Sequence, residues 1–167
     1  AAGFAPLKEV SWVIGYIREH AEQWNIDPGK IVTCGFSAGG HLASTTANHS
    51  PIEARPDFQI LFYPVISMDE KMTHKGSCVN FLGDGRKDEK LVKQFSNMNA
   101  VRRHQTPPAI IFTAGDDRAV PPATNCIPYF MALRKAGVPA AMHIYPAGGH
   151  GFGFRSTFAN HKQMTAE

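Results

Sequence analysis

Lys30-Ile31-Val32-Thr33-Cys34-Gly35-Phe36-Ser37-Ala38-Gly39-Gly40-His41 is the stretch that decides the fold. Lys30 to Cys34 reads as a short buried strand, rich in β-branched residues. Gly35-Phe36-Ser37-Ala38-Gly39 then matches G-x-S-x-G, and small residues from about His41 to Asn48 continue as a helix. A strand running through a cramped turn into a helix pushes the serine oxygen into the open. Glycine is expected at 35 and 39, where the strand and helix backbones pass too closely for side chains. The Ala38 N–H and the helix N-terminus would both face a negative charge developing beside Ser37.

The same alternation extends outward. Upstream, Leu7, Val10, Ile14, Ile17, Ala21 and Trp24 recur in steps of three and four, which predicts a helix over residues 6–24 with one buried stripe, opened by Pro6 and stopped by Asn25 to Gly29. Downstream, Phe58 to Tyr63, Ala109 to Thr113 and Ala140 to Tyr145 read as three further apolar strands, with a helix over 123–136 ending at Gly137. Continuous apolar strands alternating with helices predict an α/β fold, a mostly parallel sheet with helices on both faces. Residues 67–106 differ. They are polar, charged at Asp84 to Lys90 and bounded by prolines, and are expected to form a rim or lid-like insertion with one or two short helices.

The chain's 167 residues fit a single domain at roughly 100–200 residues each. A net charge of +3, scattered along the chain, argues against nucleic-acid and anionic-membrane partners. No apolar run approaches membrane-spanning length, and Ala1 to Pro6 lack the order of a signal peptide, so a soluble chain is expected. The compartment stays open, since an export signal of the parent enzyme would precede Ala1. Three cysteines without a CxxC pair point to neither a closed disulfide framework nor a metal site, and Cys34 is expected as a small buried hydrophobe. Neither metal nor organic cofactor is called for.

A serine hydroxyl is a weak nucleophile and needs a base in hydrogen-bond reach, itself oriented by an acid. Of eight histidines, His150 stands out, because Gly148-Gly149-His150-Gly151-Phe152 follows directly on the last strand. His20 and His161 read as helix or surface residues, His143 as a structural histidine within a strand, and His41 as a packing or hydrogen-bonding residue. The acid should leave the third strand, where Asp116 and Asp117 compete. Asp117, opening the turn Asp117-Arg118-Ala119-Val120-Pro121, is favoured, and Asp116 is expected to bond loop amides.

Five segments together resemble α/β-hydrolase esterases of the acetyl esterase and acetylxylan esterase kind, neighbours of the hormone-sensitive-lipase-like group. They are Trp24 to Pro28, Gly35 to Ala43, Thr73 to Ser77 with Asn80 to Gly83, Asp117 to Pro121, and Gly149 to Phe152. The resemblance implies Ser37 as nucleophile, Asp117 as orienting acid and His150 as base, removing short acyl groups, above all acetyl, from sugars or xylan-type polysaccharide. His74, Ser77 and Asn80 would stand on the rim as sugar contacts. Such esterases carry further strands and an HGGG-type oxyanion loop before the helix at 6–24. The chain is therefore expected to be the C-terminal portion of the fold, and to self-associate through an exposed sheet edge. The alternatives are a hydrolase fragment made incompetent by the lack of that loop, and a serine peptidase sharing the elbow.

Overall fold

The computed structural model describes residues 4–167, centred on a four-stranded, wholly parallel sheet. Strands β1 (Val32–Phe36), β2 (Phe58–Phe62), β3 (Ala109–Ala114) and β4 (Ala140–Tyr145) stand side by side in chain order. Parallel neighbours force every connection to cross back over a face, so all four strands end at one edge. The turns after β1, β3 and β4 therefore meet there.

Helices α1 (Phe4–Glu19) and α2 (Ala21–Trp24) precede β1, and α3 (Ala38–His49) joins β1 to β2. Between β2 and β3 lie α4 (Lys75–Leu82) and α5 (Glu89–Phe95); α6 (Cys126–Lys135) joins β3 to β4, and α7 (His161–Met164) follows β4. Strand alternation divides the core. Leu61 and Ile111 enter one cluster with Ala43 of α3 and Tyr129 and Leu133 of α6. Phe62 and Phe112 face the other way, against Phe152, Phe158 and Met164. Helical turns thus cover both faces, although on the second face α7 is a single turn and aromatic loop side chains do most of the covering. Phe36, Phe62, Phe112 and His143 stack in turn across the four strands, with ring centroids 4.6, 4.9 and 5.3 Å apart.

The 67–106 segment is held more tightly than its polar sequence implies. Residues 63–68 are all buried, and Val65, Met68, Cys78, Leu82, Phe95 and Val120 form a third apolar cluster. This cluster fixes α4 and α5 against the body of the sheet.

Three expectations change. The helix over 6–24 is two helices, broken at His20, which leaves helical geometry at φ −103°, ψ 8°; the Tyr16 carbonyl still accepts its backbone N–H at 3.2 Å and lies 2.9 Å from its ring Nδ1. Trp24 is exposed rather than buried. It completes an outward row in which Trp12 stacks on Tyr16, Tyr16 lies tilted against His20 and His20 stacks on Trp24, an i, i+4 series distinct from the buried stripe around Ile14. Cys34 is exposed as well. Among the described residues β1 has one strand neighbour, and the aromatic cover over β2 to β4 stops short of Val32 and Cys34. No helix among the described residues is long and apolar enough to cross a membrane.

Candidate active site

Ser37 occupies φ 53°, ψ −118°, a conformation that costs an L-residue on the order of 1–3 kcal/mol. Three backbone hydrogen bonds hold it there. Its N–H donates to the Phe62 carbonyl at 3.0 Å, and its own carbonyl accepts from Val65 at 3.0 Å and His41 at 3.2 Å. The glycine at 35 is required: a Cβ there would overlap the Gly39 carbonyl and lie 2.8 Å from the Gly40 Cα. The second close approach falls one residue later than expected. Gly39 has nothing within 4 Å, whereas a Cβ on Gly40 would lie 2.6 Å from the Pro64 Cβ. The first turn of α3 directs Gly40, not Gly39, at the chain leaving β2.

Three side chains from three strand ends meet at this edge. His150 Nδ1 lies 2.7 Å from Asp117 Oδ2, and His150 Nε2 lies 2.8 Å from Ser37 Oγ. A carboxylate accepts only, so the Nδ1–H donates to Asp117 and leaves Nε2 to accept from the serine hydroxyl. The Asp117 carboxylate is fully buried, and its other oxygen accepts the Ala119 and Val120 N–H groups, each at 2.9 Å. Asp116 instead accepts from the Gly148 and Gly149 N–H groups at 3.0 and 2.8 Å, tying the turn after β3 to the loop that carries His150.

Tyr63 escaped the sequence reading. At φ 37° it turns its ring edge-on to the His150 imidazole and to Phe152, with centroids 4.8 Å away in both cases, so the imidazole is braced on one side. Burial pushes its phenol above the ordinary value and keeps it neutral beside the imidazole. A non-glycine residue with positive φ at a strand end has no sequence signature, and nothing local marks Tyr63 out.

The Ala38 N–H is the first of α3 and so has no intrahelical carbonyl to bond. Beside it opens a cavity of about 520 Å³ lined by Ser37, Ala38, Leu42, His74, Ser77 and Asn80, among others. The three rim residues thus share one cavity with the serine. A larger cavity, about 790 Å³, lies between the 67–99 segment and α6; it is lined by both signs of charge and includes none of Ser37, Asp117 and His150. Among the described residues no group of three or more His, Cys, Asp or Glu side chains is placed to hold a metal ion.

His41 is wholly buried behind the elbow, its Nε2 2.8 Å from the Phe95 carbonyl and its Nδ1 3.5 Å from Thr45 Oγ1. Burial, and to a lesser degree the nearby His49, bring its pKa from 6.5 down to about 4. As pH falls from 6.5 toward 4, the unfolded chain gains a proton that the folded chain refuses, so stability is full above this window and lost through it, by on the order of 3 kcal/mol. Urea denaturation at pH 7 and pH 4 should show a smaller acid loss for His41→Gln than for the parent, by on the order of 2–3 kcal/mol. Equal losses would contradict this role, since His49 is common to both proteins.

The family model described as the prolyl oligopeptidase family matches residues 8–166. The chain belongs to that family. As a member of the prolyl oligopeptidase family it is similar to the acetylxylan esterase of Xylanibacter ruminicola, 53% identical over 160 residues that make up 95% of this chain and 33% of that protein. The crystal structure of an acetyl ester-xyloside bifunctional hydrolase from Caldicellulosiruptor lactoaceticus superposes with a TM-score of 0.88 at 38% identity, over 97% of this chain and 62% of that one. MGS-M1, an α/β-hydrolase enzyme from a deep-sea metagenome, superposes with a TM-score of 0.67 at 27% identity, over 93% of this chain and 54% of its own. The chain therefore carries part of an α/β-hydrolase fold and spans about a third of the length of that acetylxylan esterase.

Proposed function

We infer that this chain carries the catalytic residues of a serine carboxylester hydrolase that removes acetyl groups from acylated sugars or xylan-type polysaccharide. The observation that carries the reading is the hydrogen-bonded row from buried Asp117 through His150 to Ser37, at 2.7 and 2.8 Å, on a strained elbow. Ser37 Oγ attacks the ester carbonyl carbon while His150 Nε2 takes its proton. The carbonyl oxygen becomes an oxyanion facing the Ala38 N–H and the positive end of α3. Collapse breaks the bond to the alcohol oxygen, which leaves with the proton from Nε2, and the acyl group stays on Ser37. Water then gives a proton to His150 and attacks the acyl carbon, releasing the acid and restoring the serine. Asp117 holds the imidazole in the required tautomer and stabilises its cation. The names of the two most similar relatives described above support acetyl on a carbohydrate as the ester.

The test is acetate release from acetylated xylooligosaccharides, run beside p-nitrophenyl acetate and a prolyl p-nitroanilide. Acetate release with intact glycosidic bonds supports the reading, and cleavage of the prolyl amide in preference to the esters overturns it in favour of a peptidase. Asp117→Asn keeps the shape but admits the wrong imidazole tautomer. Its kcat on p-nitrophenyl acetate is expected to fall on the order of 10²–10⁴-fold with little change in KM. A fall confined to KM would contradict the assigned role.

A further inference from the structure

The cavity beside Ser37 contains a polar group whose direction is fixed by its own helix. His74 caps α4, and its Nδ1 accepts the Ser77 N–H at 3.3 Å, with Ser77 Oγ 3.1 Å from the same nitrogen. An imidazole that accepts a backbone N–H at Nδ1 carries its proton at Nε2. The ring lies beside Gly76. A Cβ at that position would stand 3.1 Å from His74 Cε1 and 3.5 Å from Nδ1, so a side chain at 76 would force the imidazole to shift. Its other nitrogen is left as a donor, on a residue that lines the cavity that also holds Ser37.

The rest of that wall is mixed. Ser77 and Asn80, three apart on α4, present a hydroxyl and an amide on one helix face. Leu42 and Phe81 supply apolar surface, and Phe81 is fixed edge-on against buried His41 at 4.6 Å. Convergent donors and acceptors beside an apolar platform suit a pyranose, whose hydroxyls and C–H faces alternate in the same way. A cavity of about 520 Å³ is far larger than a two-carbon acyl group requires and lies within the usual range for a ring-sized ligand.

The geometry points to this cavity as the subsite for the sugar ring that bears the acetyl ester, with His74 Nε2–H as a specificity-determining donor to a ring hydroxyl. The inference rests on the ester-hydrolase reading above. His74→Asn tests it, because asparagine is a strong helix N-cap and preserves the acceptor for α4 while removing the imidazole donor. The ratio of kcat/KM on acetylated xylooligosaccharide to kcat/KM on p-nitrophenyl acetate is expected to fall about tenfold, through KM on the sugar substrate. Gly76→Ala, which displaces the ring without removing it, is expected to lower the ratio in the same direction. An unchanged ratio in both variants overturns the inference, as does a shift in the acetate-to-butyrate preference with the sugar-to-aryl ratio unchanged, which would make the cavity an acyl pocket.

Calorimetric titration with xylotriose reads the subsite without turnover, so its result stands apart from the fate of the esterase reading. About tenfold weaker binding by His74→Asn supports the inference. Equal binding by both proteins, or no binding by the parent chain, overturns it.

Discussion

Ser37→Ala lowers kcat on p-nitrophenyl acetate on the order of 10⁴–10⁶-fold, because the atom that would form the acyl-enzyme is gone and only binding and oxyanion stabilisation remain. His150→Ala falls to a similar level, since without Nε2 to take its proton the hydroxyl at 2.8 Å is an ordinary alcohol. The double variant is expected to be no worse than either single one, as the two groups act in one step. Purified proteins with matching circular dichroism, assayed under saturating ester, give the comparison. A Ser37→Ala protein retaining more than about a tenth of the parent rate would remove the serine from the mechanism.

The second large effect falls on folding. Gly35→Ala places a methyl group into the Gly39 carbonyl, and both atoms belong to the elbow backbone, so no flexible side chain can yield. Unfolding free energy is expected to drop by more than about 4 kcal/mol, or the chain to be recovered insoluble, with ester hydrolysis lost in any folded remainder. Gly39→Ala is the control. With open space around it and a place in the first turn of α3, it should change stability by less than about 1 kcal/mol in urea denaturation. Equal effects at 35 and 39 would mean that the elbow is not packed as described.

The contrast between these two glycines marks the limit of what the sequence discloses. The elbow itself was legible, because strand, turn and helix are contiguous and each carries its own local pattern. The alternation of β1 to β4 with helices was legible for the same reason, and a parallel sheet then brings the strand ends to one edge without further information. The turn chemistry of Asp117-Arg118-Ala119-Val120 also distinguished the two carboxylates: the structure gives Asp117 the imidazole and Asp116 the loop amides. Gly40 was missed because its constraint comes from Pro64, which meets it only after β2 has paired with β1. Tyr63 was missed because its positive φ and its contact with His150 are products of packing. The exposure of Cys34 depends on which strands flank β1, and the break at His20 on the backbone torsion of one residue, neither of which apolar periodicity reports.

The rim residues are an intermediate case. The sequence reading set Ser77 and Asn80 on the rim, yet their sharing one face of α4 and their meeting with Ser37 depend on the apolar cluster that binds the 67–106 segment to the sheet. A polar composition concealed that cluster, whose members are spread from Val65 to Val120.

The claim beneath all of this is that the Asp117 to His150 to Ser37 row makes one hydroxyl reactive. Labelling the folded chain with a fluorophosphonate, followed by peptide mass spectrometry, tests it most directly. The account predicts a single modified site at Ser37, with labelling abolished in His150→Ala. An unlabelled parent chain, or a label carried on another residue and retained in Ser37→Ala, would contradict it.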